Sequence, residues 1–398
     1  MPQSISRNEF IALLALLFAV IALSIDAMLP ALPQIAASLS PADPNKAQLV
    51  ITAFVLGMGL GTLFAGPLSD AFGRKTTILA GMALYILAAA ACWAAPSLET
   101  LLIARVVMGF GSAAPRTVSI AMVRDLFKGR EMAQIMSFAM MIFTLVPAVA
   151  PLMGQGVMAL AGWQAIFLVY IGFALFIGTW MQLRQPETLP LADRRPLAFA
   201  PLFAACKEVL SLRIVLISIA TQALTLGMLF ATLSSMEGIF DQTFHRAESF
   251  PKWFALIAVA SMSGSILNAR LVMRVGMRGM VKATYAVLLA VTLAYLALTA
   301  TGALAGTVGF AVHLLWSIVL FAVMGLTLGN LNALAMEPLG HIAGMAASVT
   351  SAIATVASVL LAVPVGLLFN GTALPLLIGV AVYGSLAMGL SLQLKARA

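Results

Sequence analysis

Long apolar stretches recur along this chain from Phe10 almost to its last residues, and each is close to the length that a helix needs to cross a membrane. Such a helix takes ~20 residues to span ~30 Å of hydrocarbon, where lipid cannot hydrogen-bond the backbone. The stretches occupy positions 10–32, 46–69, 76–95, 98–122, 131–159, 164–183, 212–235, 252–272, 282–302, 307–334, 344–369 and 373–393. We therefore predict an all-α, polytopic membrane protein with twelve transmembrane helices.

The composition and the distribution of charge agree with this architecture. Charged residues make up 9% of the chain, whereas a typical soluble domain has about 25%. With the N-terminus placed in the cytoplasm, most of the 22 Lys and Arg residues fall on the inner side, including Lys395 and Arg397. Only Lys46, Arg246 and Lys252 fall on the outer side. The positive-inside rule therefore predicts cytoplasmic N- and C-termini, and the net charge of +8 needs no nucleic-acid partner.

One polar segment divides the twelve stretches into two sets of six. Residues 184–211 are rich in charge and proline, which predicts a cytoplasmic linker between an N-terminal bundle, 1–183, and a C-terminal bundle, 212–398. The halves also resemble each other weakly, because Gly73 and Lys75 after the second stretch correspond to Gly276 and Arg278 after the eighth. Internal repeats are common in secondary transporters, so we expect two pseudo-symmetric six-helix bundles.

Asp26 is, by this interpretation, the only acid that lies well inside an apolar stretch, and an ionisable residue there is a functional candidate by default. At ~1.5 Å per residue, Asp26 and Arg105 both lie about 7–11 Å below the outer surface and can pair. Arg105 would stabilise the ionised carboxylate, whereas apolar surroundings favour the protonated form. We therefore predict a proton-coupling pair that also contacts substrate. The alternatives are a static buried ion pair and an interfacial Asp26.

Arg116 follows Arg105 by about three helical turns and is predicted to share its face of the fourth helix. One interpretation is that Arg116 binds an anionic or zwitterionic substrate. The alternatives are an ion pair with Glu337 or an Arg116 side chain that reaches the interface. The remaining candidates for substrate-binding residues, each of which could equally pack between helices, are Met140, Phe143, Gln222, Met228, Trp316 and Asn330.

The sequence carries no catalytic, nucleotide-binding or metal-ligand spacing. Cys92 and Cys206 form no CxxC or CxxH pattern, and His313 is expected at the interface near the outer end of the tenth helix. We therefore expect a protein that is not an enzyme and that uses no metal and no cofactor.

Several short segments resemble a known family. Gly66–Lys75, with the sequence GPLSDAFGRK, resembles the signature of the major facilitator superfamily between its second and third helices. Arg105–Gly111 resembles the fourth-helix motif of its drug:proton antiporters. Ala150–Gln155 resembles their fifth-helix antiporter motif, although alanine stands for the leading glycine and glutamine for the closing one. Asp26–Pro33 and Asn332–Gly344 resemble the Bcr/CflA-like drug-resistance subfamily.

The resemblance covers essentially the whole chain and implies the major facilitator fold. It implies a proton-coupled secondary active transporter, monomeric and in a bacterial inner membrane, that exports small amphipathic drugs or metabolites by alternating access. Its partners would be the small-molecule substrate, protons and the lipid bilayer. The alternatives are a proton symporter that imports an anionic metabolite or siderophore-like compound, favoured by Arg116, and a membrane receptor or scaffold without transport. The implied residues of a conformational gate are Gly66, Asp70, Gly73, Arg74, Asp125, Pro151, Gly154 and Glu337.

Overall fold

The computed structural model describes residues 5–197, 200–302, 304 and 306–394, and helix is the only regular secondary structure of these residues. Lys395 and Arg397, expected on the inner side, lie outside the described residues. The α-helices in chain order are α1 (Arg7–Asp26), α2 (Leu32–Leu39), α3 (Leu49–Phe72), α4 (Arg74–Trp93), α5 (Leu98–Leu126), α6 (Gly129–Ala161), α7 (Ala165–Arg184), α8 (Ala200–Ser211), α9 (Arg213–Gly238), α10 (Phe250–Val275), α11 (Met277–Ala300), α12 (Gly306–Met336), α13 (Ala343–Leu367) and α14 (Leu374–Leu392).

Twelve segments of the described chain are long and apolar enough to cross a membrane, which confirms the predicted number. The first of them joins α1, a 3₁₀ turn at Leu29–Ala31 and α2, and α8 is the one α-helix that belongs to none. The seventh segment is longer than predicted: α9 reaches Gly238 and continues as a π-helical turn, Ile239–Thr243. The sequence-based end at position 235 is wrong because a glutamate follows it, and hydropathy does not distinguish a buried acid from one in a loop.

The described residues form two compact units. The first comprises those of Met1–Ala42 and Ala53–Ala205, and the second those of Asp43–Thr52 and Cys206–Ala398. The division between Ala205 and Cys206 falls inside the segment expected to be the linker, 184–211. The bundle boundaries read from the sequence stay predictions.

In the first unit, α1 is the central helix, since α5, α6 and α7 all pack against it. Its side chains are buried along most of its length, from Phe10 to Asp26. Around it, α3 and α5 approach at backbone distance: a Cβ added to Gly57 would overlap the carbonyl of Val106. Small residues allow membrane helices to pack this closely.

The internal repeat predicted from the sequence is visible in the backbone. Gly73 precedes α4 with a φ of 98°, and Gly276 precedes α11 with a φ of 76°. Side chains other than glycine rarely adopt this left-handed region. The same tight turn therefore joins the second and third membrane helices of each half, and it places the basic residues that follow at the start of the next helix.

Candidate functional site

Asp26 is the last residue of α1 and is only 6% exposed. The three residues that follow, Ala27, Met28 and Leu29, are completely buried. No hydrogen bond or ion pair found among the described residues involves the Asp26 carboxyl group. The acid is thus held inside the first unit in apolar surroundings, which does not fit the interfacial alternative.

Arg105 on α5 is completely buried, but it does not form the expected ion pair with Asp26 in the described structure. Its Nη2 donates instead to the carbonyl of Ser24, 3.0 Å away. Its guanidinium also lies 4.5 Å over the ring of Phe54, a favourable cation–π distance. The two residues predicted to pair are therefore close along α1 without direct contact between their charges.

The end of α1 explains this arrangement. The amide of Met28 donates to Ile25 at 3.2 Å, so the helix tightens from α to 3₁₀ geometry at this point. This change leaves the carbonyl of Ser24 without its usual amide partner four residues on. Arg105 takes that position, and the hydroxyl of Tyr170 lies 3.4 Å from the same oxygen.

A hydroxyl pair extends this polar cluster. The Ser24 hydroxyl donates to the Val20 carbonyl at 2.6 Å, so the Tyr85 hydroxyl, also 2.6 Å away, donates to Ser24. Sequence reasoning missed Ser24, Tyr85 and Tyr170. The available signal was weak: tyrosine is rare here, with five in the chain, and two of them face the same serine.

The antiporter-like segment of α6 packs beside the same site. A Cβ on Gly154 would overlap the carbonyl of Ala27, the residue after Asp26. Pro151 and Pro147 both lie inside α6, where each removes one backbone hydrogen bond. The fifth membrane helix, α6, thus contacts the first beside Asp26. The contact lies in the part of α6 that has lost backbone hydrogen bonds to its two prolines.

A second cluster surrounds Arg74 at the start of α4. Arg74 donates through Nε to Asp125 at 3.0 Å and through Nη1 to Ser69 at 2.7 Å, and it also forms an ion pair with Asp70. The structure therefore brings together three residues predicted to form a gate, from the ends of three helices. Arg124, the neighbour of Asp125 along the chain, is exposed.

Glu187, which sequence reasoning missed, completes this cluster. Its carboxylate accepts from the backbone amides of Arg74 at 2.9 Å and Lys75 at 3.1 Å, at the start of α4. Gly73 at the cap position has no side chain to do this. The carboxylate also lies 3.9 Å from Arg194. The sequence carries a weak signal for this role, an acid just after the sixth stretch, but the charge and proline content of the segment predicts only a linker.

The second unit has an equivalent ion pair. Arg278 at the start of α11 donates to Glu337 at 2.8 Å, just after α12. This contact repeats the Arg74–Asp125 pair of the first unit. It also gives Glu337 a partner other than Arg116, the one that the sequence had suggested as an alternative.

The other predicted substrate residues of the first unit have different environments. Arg116 is exposed, and Met140 is 44% exposed. Phe143 is partly buried, with its ring centroid 6.4 Å from that of Phe18 on α1. Arg116 and Met140 thus have surface available for a ligand.

The predicted substrate residues of the second unit are buried, and most of them contact neighbouring side chains. Met228 is completely buried, and Trp316 donates to Thr292 at 3.0 Å. Asn330 donates to Asn268 at 2.7 Å. Gln222 is also buried, and its Nε2 has no partner among the described residues.

Glu237 is a buried acid that the sequence analysis missed. It is 5% exposed and lies on α9, beyond the predicted end of the seventh helix. The expectation that Asp26 is the only acid well inside an apolar segment is therefore wrong. His313 was also misplaced, since it is completely buried rather than interfacial.

The described residues contain twelve helical segments long and apolar enough to span a membrane, an internal repeat, and a buried acid and arginine. Together these define a polytopic membrane transporter of repeat architecture. The sequence profile of the Major Facilitator Superfamily matches residues 14–363, and the chain belongs to this family.

Three similar proteins agree with this assignment. The MFS-type transporter YdgK of Bacillus subtilis (strain 168) is 32% identical over 97% of this chain and 96% of its own. A bicyclomycin resistance protein homolog of Haemophilus influenzae (strain ATCC 51907 / DSM 11121 / KW20 / Rd) is 30% identical over 72% of both chains. A crystal structure of a D-xylose-proton symporter superposes with a TM-score of 0.75 at 14% identity, covering 97% of this chain and 95% of its own, which confirms the fold.

Proposed function

We propose that this protein is a proton-coupled exporter of small amphipathic compounds in a bacterial inner membrane, monomeric and with both termini in the cytoplasm. The similarity to a bicyclomycin resistance protein homolog and the antiporter-like motifs support export of drug-like compounds. The excess of basic residues on one side supports the orientation. The observation that carries the proposal is the buried Asp26, which has no ion-pair partner in the described structure but lies beside a buried arginine.

Asp26 would carry the coupling proton. An ionised carboxylate buried without a partner costs several kcal/mol, so this environment favours the protonated acid. Arg105 is held two residues away by the Ser24 carbonyl, a hydrogen bond that a small rearrangement of the helix end can exchange. If Arg105 moves to Asp26, the ionised form is stabilised and the proton leaves. The helix end and Gly154, which touches it, would make this step sensitive to the conformation of α6.

The cluster around Arg74 would act as a gate. Its members lie at helix ends, and the arginine is buried while Asp70 is partly exposed. Surface pairs contribute only about 0–1 kcal/mol each, but Arg74 joins two acids and a serine at once. If the contacts of Arg74 with the two acids and the serine break at the same time, one conformation of the transporter becomes favoured over the other. Alternating access requires such a bias between two states.

Proton-linked efflux can be measured in everted membrane vesicles. A dye that reports the pH gradient should respond when ethidium, chloramphenicol or fluorescein is added, as a cation, a neutral compound and an anion. Asp26→Asn should strongly reduce the response while the protein remains folded, and Asp43→Asn, which alters an exposed loop acid, should leave it unchanged. Full coupling in Asp26→Asn, or no proton movement in the wild type with any compound, contradicts the proposal.

Import of an anionic metabolite with protons is the second candidate, and the exposed Arg116 favours it. An exporter should raise drug resistance when it is overexpressed, whereas an importer should raise uptake of its substrate. Arg116→Ala should selectively weaken transport of the anionic probe. If cationic and anionic probes are affected equally, Arg116 does not select substrate charge.

A further inference from the structure

Glu237 stands apart from the site around Asp26. We propose that Glu237 is a second proton-binding acid, in the second unit, so that transport moves protons through two carboxylates rather than one. This inference rests on the proposed proton-coupled function and adds to it a second ion site. Its basis is the burial of Glu237, the composition of the helices packed around it, and the irregular helix end that follows it.

The carboxyl group of Glu237 has no charged partner. Among the residues that the structure describes, no ion pair or hydrogen bond involves it. The neighbouring Ser234 and Ser235 are also buried, and their hydroxyl oxygens have no hydrogen-bond partner in the described part of the chain. Three polar side chains on this part of α9 are thus buried without hydrogen bonds among the described residues. Buried polar groups in a purely structural role usually have such bonds.

The helices packed against α9 supply almost no charge. These are α12, α13 and α14. Helix α13 has no titratable residue, and the one in α14 is Tyr383, whose hydroxyl donates to the Leu361 carbonyl at 2.8 Å. Helix α12 has His313 alone. An ionised Glu237 would therefore meet no neutralising arginine or lysine from these helices, and burial favours its protonated form.

The remaining charges near this end of α9 do not change that result. Asp241 follows Glu237 by about one helical turn, and a like charge further disfavours ionisation. Arg246 places its guanidinium 4.5 Å over the ring of Phe310. Lys46, in the loop segment that belongs to this unit, pairs with Asp43 at 3.3 Å.

His313 is the second titratable group of this region. It is completely buried, its Nδ1 lies 3.3 Å from the Tyr295 hydroxyl, and its Nε2 has no partner among the described atoms. Its ring centroid is 6.0 Å from that of Phe240, which lies about one turn after Glu237. His313 is therefore a basic side chain next to the turn that follows Glu237, and a change of conformation could bring it to an ionised Glu237.

The helix end gives Glu237 a route to water. From Ile239 to Thr243 the helix is π-helical, a geometry that is rare and frequent at functional sites. Under the proposed orientation, α9 runs toward the outer surface, so this irregular turn lies on the side from which protons enter. If this turn opened, water would reach the Glu237 carboxyl group. The group could then ionise and later take up a new proton from the outer side.

Glu237 is not simply the repeat of Asp26. The Ser24–Tyr85 contact has an equivalent in the second unit, where the Thr225 and Tyr285 hydroxyls lie 2.5 Å apart. At ~1.5 Å per residue, Asp26 lies about 3 Å beyond Ser24 along the axis of α1, whereas Glu237 lies about 18 Å beyond Thr225 along the axis of α9. The two acids therefore occupy different positions within the repeat, and we expect them to exchange protons at different stages.

Infrared spectroscopy of the purified full-length protein in lipid tests the site without any substrate. The C=O stretch of protonated carboxylic acids is followed from acid to alkaline pH in the wild type, Glu237→Gln, Glu237→Asp and Asp26→Asn. We expect Glu237→Gln to remove one titrating band and leave the band that Asp26→Asn removes. Glu237→Asp should retain a shifted band, and Asp241→Asn should keep the Glu237 band. A Glu237→Gln spectrum identical to that of the wild type overturns the proposal.

Transport separates this inference from the proposed function. In proteoliposomes, the logarithm of the ethidium accumulation ratio is plotted against the imposed pH gradient, and its slope counts coupled protons. We expect the slope to fall by about half in Glu237→Gln, because one proton carrier remains. An unchanged slope overturns the role of Glu237 even if the infrared band is lost. If the wild type shows no antiport at all, the proposed function fails, while the infrared result still decides whether Glu237 binds a proton.

Discussion

Removal of the Glu187 side chain should destabilise the first unit although the residue lies in a connecting segment. Its carboxylate accepts from the amides of Arg74 and Lys75, the first residues of α4. The first amides of a helix have no partner within the helix, and Gly73 provides none. Glu187→Ala therefore leaves these two amides without their acceptor at a site where Arg74 is itself buried, and it also removes the acceptor of the Thr188 and Leu189 amides.

The magnitude follows from these contacts. Loss of a capping side chain costs about 0.5–2 kcal/mol, and a negative charge at a helix N-terminus contributes about 0.3–1 kcal/mol. The Glu187 side chain is 25% exposed, so water replaces part of what is lost. We expect a destabilisation of about 1–2 kcal/mol, which lowers the melting temperature by roughly 2–8 °C for a unit of this size.

Thermal unfolding of the purified protein, followed by loss of the monodisperse fraction, measures this effect. Glu187→Gln keeps an acceptor oxygen but loses the charge, so it should lower the melting temperature by less than Glu187→Ala. Asp193→Asn removes an exposed acid from the same segment and is the matched control, with a change within about 0.5 kcal/mol. If Glu187→Ala melts at the temperature of this control, the carboxylate does not stabilise α4 and the reasoning is refuted.

Two further predictions concern the packing of the first unit. Ser24→Ala and Tyr85→Phe each remove the same hydrogen bond, so each should cost about 0.5–1.5 kcal/mol. Because Ser24→Ala also removes the bond to the Val20 carbonyl, the double variant should cost little more than Ser24→Ala alone, whereas fully additive losses in thermal unfolding would show that the two hydroxyls do not interact. Gly57→Leu should sharply reduce the folded fraction, because its side chain would overlap the backbone of α5. Gly172→Leu, which enters open space, should not, and equal losses in both would argue against close packing of α3 and α5.

Hydropathy predicted the number of membrane helices because lipid imposes a minimum length on each apolar segment. It could not predict how the helices end. The first continues past Asp26 through a 3₁₀ turn, and the seventh continues past Glu237 into a π-helical turn. In the seventh, a polar residue inside a buried segment resembles a boundary when only average polarity is considered. The tight turns at Gly73 and Gly276 were predictable because glycine at these positions has a specific backbone reason.

The contacts of the candidate site were harder to predict. Helix depth placed Arg105 near Asp26, and the structure places it there, but its hydrogen bond goes to the Ser24 carbonyl. That acceptor becomes available only when the helix changes geometry at Met28, which residue counting along an ideal helix does not include. Glu187 was missed for a similar reason, since its partners are backbone amides that no sequence pattern reveals.

Comparison of the two units distinguishes the contacts of a repeated scaffold from the residues that are particular to one unit. The hydroxyl pair and the ion pair at the start of the third membrane helix occur in both units, as the contacts Ser24–Tyr85 and Thr225–Tyr285, and Arg74–Asp125 and Arg278–Glu337. Contacts that recur under internal repetition belong to the common scaffold of the two bundles, whether they only satisfy polar groups, as the hydroxyl pairs do, or also form the proposed gate. Asp26 and Glu237 do not recur, and both are buried without a partner among the described residues. A buried ionisable group that lowers stability and is not part of the repeated scaffold requires another reason to be present, and the binding and release of protons provides one.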